Sequence, residues 1–151
     1  MIYIGIAAAI FIADFLIKEH MERTLPETGE KKKLRGFIRL RKHHNKGAFL
    51  NVGEKKRPLV AAVSVLLTAV VTVFFVLTLG NKGNTLLKTG LSLLLGGAFS
   101  NTYDRLKRKY VVDYLSFGVK GKRLVNVIFN LSDFGIILGA LLMTLSSFSR
   151  K

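Results

Sequence analysis

Two carboxylates stand where an apolar chain makes them expensive. Asp113 follows the β-branched pair Val111-Val112, and Asp133 closes residues 129–133, FNLSD, inside a hydrophobic run. A carboxylate in mid-membrane costs about 2.5–3.5 kcal/mol on the insertion scale, so it stays only where it has a task. Brought together at low dielectric, two such groups cannot both ionise readily. One keeps a proton and the other stays charged, which supplies an acid and a base at one place. That pair can activate water against an amide and protonate the leaving nitrogen, without a covalent intermediate. Asn101, Asp104 and Arg105 stand close by in sequence at helical i, i+3 and i+4 spacing. Asn101, Arg105 and Asn130 are the types of group that orient a carboxylate pair, and Asn130 is placed to bond a substrate backbone. Residue types alone leave three uses open: catalysis, ion or solute passage, and interhelical hydrogen bonding. A serine/lysine hydrolase is the weaker reading, because Ser64, Ser92 and Ser100 have no intramembrane lysine beside them as base.

The elements that must position these groups read as membrane spans. In 151 residues, enough for one domain, half the residues are hydrophobic and mean hydropathy is +0.36, yet the formal net charge is +15. The charge is concentrated in blocks between long apolar runs, which is the pattern of a multispanning protein. A pI of 10.4 raises nucleic acid as a partner. The basic blocks lie between spans, so anionic head groups are the expected partner and nucleic acid is not. With no cysteine, disulfides, thiolate metal sites and a cysteine nucleophile are excluded.

Four spans are expected, at about 2–19, 58–79, 85–103 and 124–145, in a single integral membrane domain over 1–151. The first lacks any Lys or Arg ahead of Lys18 to serve as a basic leader, so it reads as a retained span rather than a signal peptide. On it, Asp14 and Lys18 share a helix face and can pair. Residues 19–57 hold 12 Lys and Arg, with a flexible connection up to Lys33. A β element is expected over 34–53, as a hairpin of strand 37–41, a turn at 45–47 and a return over 48–52. His43 and His44 would point to opposite faces of that strand, and no second ligand cluster accompanies them, so no metal is expected. Gly90, Gly96, Gly97 and Ala98 on the third span permit close helix contact. Asn126, Asn130 and Asp133 fall at i, i+4 and i+7, one polar stripe of a fourth helix, facing protein or a water-filled cavity.

Five segments, in order and between the four spans, resemble the lipoprotein signal peptidase (signal peptidase II) family, the aspartic peptidases of bacterial membranes. Asp14 to Lys18 is similar to its D-x-x-x-K. Asn45-Lys46-Gly47-Ala48 is similar to its N-x-G-A, and residues 96–105, GGAFSNTYDR, to its G-G-A-x-G-N-x-x-D-R. Residues 111–114, VVDY, match V-V-D-F, and residues 129–133 match F-N-x-A-D. Three positions depart: Ser100 replaces a Gly, Ser132 replaces an Ala, and Lys109 stands where a Gly, suited to positive φ, precedes V-V-D. The resemblance implies an all-α membrane protein of four transmembrane helices with a small extracytoplasmic β-hairpin or sheet. It implies a catalytic dyad of Asp113 and Asp133, supported by Asn45, Gly47, Asn101, Asp104, Arg105 and Asn130, with Asp14 and Lys18 further out. No metal or organic cofactor is implied. The substrate would be a prolipoprotein carrying diacylglyceryl on its lipobox cysteine, cut just before that cysteine by a monomeric enzyme of the bacterial cytoplasmic membrane.

Charge and resemblance disagree about orientation. Twenty of the 24 Lys and Arg lie in residues 18–57 and 105–123, which the positive-inside rule assigns to the cytoplasm. The resemblance implies that these segments and the dyad face outward, with both termini cytoplasmic, and five ordered motifs outweigh a statistical rule. The alternative from another class is a non-enzymatic membrane protein, a transporter or a degenerate relative that binds lipidated peptides.

Overall fold

The computed structural model describes residues 1–48, 52–118 and 127–148. Four helices, α1 (Ile2–Thr24), α2 (Arg57–Leu79), α3 (Thr85–Lys107) and α4 (Leu131–Phe148), carry three strands, β1 (Lys31–Lys33), β2 (Ile38–Asn45) and β3 (Val111–Phe117).

Two of the helical stretches, residues 54–79 and 131–148, are long and apolar enough to cross a membrane, with mean hydropathies of 2.8 and 1.7. Only 11% and 22% of their most apolar windows are buried, the reverse of a soluble core helix. Leu66, Leu67, Val73, Phe74 and Leu77 on α2 and Ile137 and Leu141 on α4 are exposed. Apolar surface of that extent needs an apolar solvent, which a bilayer supplies. α1 and α3 are less apolar because their polar residues turn inward: Asp14 and Lys18 on α1, and Lys88, Asn101 and Asp104 on α3, are all buried.

α3 is the central helix, packed on α1, α2 and α4. Its small residues permit the approach that their spacing predicts. A Cβ on Gly96 would lie 2.5 Å from the Ala7 carbonyl oxygen of α1, and one on Gly97 would overlap the Ser132 carbonyl of α4. At the far end of α3, the backbone N–H groups of Arg108 and Lys109 both donate to the Asp104 carbonyl, at 2.7 and 3.1 Å. Lys109 sits there at φ 68°, the left-handed conformation that closes a helix and that the expected glycine would adopt without strain.

The β element differs from the expected hairpin. β2 runs longer, through Asn45, and pairs antiparallel with β1 on one side and β3 on the other. β1 comes from the stretch expected to be flexible connection, and β3 from the second basic loop. The return strand over 48–52 is absent at Ala48 and Val52, which close a turn through Ala48 N–H to Val52 O at 2.7 Å; residues 49–51 lie outside the described residues. Alternation over 37–41 does mark a strand. What it cannot specify is the partner, since Val111 to Phe117 lies some seventy residues away and offers the longer ladder.

The fourth helix also starts later than expected, at Leu131 rather than 124. Residues 127–130 are not helical, Phe129 bridges Leu115 of β3, and Asn126 lies outside the described residues. Asn130 is therefore not on a helical stripe with Asp133. It caps the helix: its Oδ1 accepts the Asp133 N–H at 2.9 Å, while Asp133 Oδ2 accepts the Asn130 N–H at 3.0 Å. This reciprocal pair is a capping box, and it favours a start at Leu131 over continuing the helix upstream. Phe117, Phe129 and Phe134 pack with centroids 5.6–6.3 Å apart, seating the end of β3 on the first turn of α4.

Candidate active site

Asp113 is the third residue of β3 and Asp133 lies in the first turn of α4, so a strand and a helix start present the two carboxylates. One residue bonds both. Asn130 donates from Nδ2 to Asp113 Oδ1 at 2.7 Å and from its backbone N–H to Asp133 Oδ2. Asp113 Oδ2 takes a second amide proton from Asn45 Nδ2 at 3.1 Å, and Asp133 Oδ1 takes one from Asn101 Nδ2 at 3.0 Å. Four of the expected site residues thus surround the fifth, Asn130. Both carboxylates line one cavity of about 870 Å³, walled by apolar side chains including Leu67, Val71, Leu94 and Ile136.

The environment sets the charge. Asp113 is 3% exposed, and burial followed by the charge of Asp133 pushes its pKa up to about 7. Asp133 accepts a backbone N–H at a helix N-terminus, where the macrodipole favours negative charge. Near neutral pH the pair can therefore hold one proton.

Arg105 extends beside the cavity, donating to the Asn101 carbonyl and to the Gly47 carbonyl, each at 3.3 Å. Gly47 N–H in turn bonds Asn45 Oδ1 at 3.1 Å, so the turn after β2 is fixed on the residue that holds Asp113. Asp104 is placed elsewhere, behind the site. Its Oδ2 meets Lys18 Nζ at 3.1 Å and accepts the Val112 N–H, and its Oδ1 meets Arg108 Nε at 3.2 Å. Asp14 and Lys18 pair at 2.7 Å, both fully buried, and Lys18 also donates to Asn101 Oδ1 at 2.9 Å. The two histidines do point opposite ways. His43 lines the cavity, and burial, then Arg41, holds it below the usual imidazole range. His44 stacks on Tyr110 at 4.0 Å and meets Glu22 at 2.6 Å.

Sequence reasoning missed Tyr114, whose hydroxyl accepts the Leu131 N–H at 2.9 Å and bonds Asp14. It also gave Ser100 and Ser132 no part in the site, whereas both donate to Asp14. The available signal was that each adjoins a site residue and adds a hydroxyl to an apolar setting.

A helical bundle with lipid-exposed apolar helices, holding a carboxylate pair over an apolar cavity, defines a membrane protein equipped for acid/base chemistry. A family model described as signal peptidase (SPase) II matches residues 6–149. The lipoprotein signal peptidase of Oleidesulfovibrio alaskensis is 31% identical over 149 residues, covering 97% of this chain and 94% of that protein. The lipoprotein signal peptidase of Caldicellulosiruptor bescii is 31% identical over 144 residues, covering 95% and 89%. A solved structure described as a bacterial membrane enzyme superposes with a TM-score of 0.83 at 23% identity, covering 97% of this chain and 87% of that one. A second of the same description gives 0.76 at 22% identity over 95% and 90%. The chain belongs to the signal peptidase II family.

Proposed function

We propose that this chain is an aspartic endopeptidase that removes signal peptides from diacylglyceryl-modified prolipoproteins, cutting just before the lipidated lipobox cysteine. The observation that carries the reading is the single Asn130 bonded to both carboxylates at the wall of an apolar cavity. Asp133 takes a proton from water as the water oxygen attacks the scissile carbonyl carbon. Asp113 gives its proton to the carbonyl oxygen, and the tetrahedral species collapses as the leaving nitrogen gains a proton from the pair. Asn45, Asn101 and Asn130 hold the two side chains, and Arg105 fixes the Asn45–Gly47 turn. Leu67, Val71, Leu94 and Ile136 offer acyl chains an apolar wall.

All four helices cross the cytoplasmic membrane of a bacterium in one domain, with the buried polar residues of α1 and α3 screened by α2 and α4. The sheet and the dyad face outward and both termini face the cytoplasm. Lys31, Lys32 and Lys33 form an exposed edge strand. Each adds about 1 kcal/mol of attraction to anionic head groups, a use for basic segments on the outer side. The enzyme acts as a monomer.

Purified protein, a diacylglyceryl lipobox peptide and the variants Asp113→Asn and Asp133→Asn test the chemistry. Cleavage is expected from the parent and from neither variant. Undiminished cleavage by either variant removes that residue from the dyad, and no cleavage by the parent makes the protein a binder. A reporter fused after Lys151 that reads as external overturns the orientation.

A further inference from the structure

Asp14 is fully buried, does not line the cavity, and gathers hydrogen bonds from three elements at once. Its Oδ2 receives Ser100 Oγ of α3 at 2.6 Å, Ser132 Oγ of α4 at 2.5 Å and Lys18 Nζ at 2.7 Å. Its Oδ1 receives the Tyr114 hydroxyl of β3 at 3.5 Å. Every one of the three hydroxyls stands next to a site residue in sequence. Ser100 precedes Asn101, which holds Asp133. Tyr114 follows Asp113, and Ser132 precedes Asp133. Three hydroxyls from three separate elements therefore converge on one carboxylate.

A buried ion pair alone is weak evidence for stability, because desolvation cancels much of its attraction. A buried carboxylate that takes donors from α3, α4 and β3, besides Lys18 of its own helix, does something more specific: it fixes where those neighbours stand. Lys18, held by Asp14, passes the constraint on through its bond to Asn101 Oδ1. Tyr114 passes it on by accepting the Leu131 N–H at the start of α4.

We propose that Asp14 is a positioning residue for the dyad and that Ser100, Tyr114 and Ser132 are its arms. Together they set the registry of α3, β3 and α4, and with it the spacing at which Asp113 and Asp133 share a proton. None of the four touches the cavity, so they act on turnover and on proton sharing rather than on substrate binding. The inference rests on Asp113 and Asp133 being the reacting pair.

The test is a mutant cycle scored by cleavage of the diacylglyceryl peptide across pH, with a melting curve for each variant. Ser100→Ala, Tyr114→Phe and Ser132→Ala each leave the Asp14–Lys18 pair in place, which keeps the series interpretable if Asp14→Asn alone fails to fold. Each is expected to lower kcat by about tenfold with KM within about twofold, and to move the alkaline limb of the pH profile. Pairs of these substitutions are expected to be non-additive, the second costing about threefold or less once the first has loosened the hub. If the protein folds as Asp14→Asn, adding that change to the triple hydroxyl variant should have little further effect on kcat. Strictly additive losses, or an unmoved pH profile with only the melting temperature lowered, would overturn the proposal. Asp113→Asn and Asp133→Asn run alongside: cleavage surviving there removes the dyad reading itself, whatever the hydroxyl series does.

Discussion

Replacing Asp113 with Asn should make the protein inactive and, in a pH-dependent way, more stable. In the folded chain the carboxyl is pushed up to about 7 from an ordinary value of 3.8, by burial and then by Asp133. Folding therefore favours the protonated form. The stability that this group contributes is fully present below about 3.8 and is lost as pH rises through about 7. Between pH 5 and pH 8 the loss integrates to roughly 2–3 kcal/mol. The amide of the variant does not titrate, so this part of the slope vanishes. The substitution also leaves Asn45 and Asn130, both donors, competing for one acceptor oxygen, but that penalty is constant with pH. The advantage of the variant over the parent should thus widen by roughly 5–10 °C in melting temperature from pH 5 to pH 8. Circular dichroism of detergent-solubilised protein at several pH values measures it, and carboxylates outside the pair cancel in the difference. A gap that stays constant or narrows on going to pH 8 would refute the reasoning, because Asp113 would then not hold its proton near neutral pH.

Three further outcomes are expected. Lys109→Gly should raise stability by about 1 kcal/mol, seen as a higher melting temperature with cleavage unchanged, since the left-handed φ of 68° strains any residue with a Cβ. Gly97→Ala should abolish cleavage while the protein still inserts into membranes, because a Cβ there meets the Ser132 carbonyl and displaces the residue before Asp133; full activity would show that α3 and α4 can separate without cost. Asn130→Ala should cost about 1 kcal/mol through the lost cap and lower kcat about 100-fold, because Asp113 loses its Nδ2 donor and the Asp133 N–H loses its acceptor while the backbone N–H of residue 130 stays on Asp133, as melting curves and steady-state kinetics would show.

Most of the helical framework was legible because span length and apolarity are local properties. The stretches at 58–79 and 85–103 are helical, within α2 and α3, and of the two α2 is long and apolar enough to cross a membrane. Small residues at 90, 96 and 97 announced the tight α3 contacts, and adjacent histidines on β2 announced opposite faces. The sheet was not legible, since pairing of Ile38–Asn45 with Val111–Phe117 is a choice among distant partners that no local pattern records. Helical spacing misplaced Asn130 for a related reason. A run such as FNLSD fits an i, i+3 pattern whether it continues a helix or begins one, and only the reciprocal bonds between Asn130 and Asp133 decide. The hydroxyls on Asp14 escaped notice because a serine in a membrane helix usually bonds its own backbone, as Ser64 does with the Val60 carbonyl.

The parts that hold the two carboxylates arrive from the ribosome in widely separated instalments. Lys18 comes with the first helix and Asn45 ahead of the second, Asn101 belongs to the third, and Asn130 and Asp133 emerge only as the last helix begins. A nascent chain that has made only three helices therefore carries Asp113 on a strand with neither Asn130 nor Asp133 beside it. On the mechanism proposed above, peptide cutting waits until the last helix has packed beside α3, because no shorter intermediate holds both carboxylates.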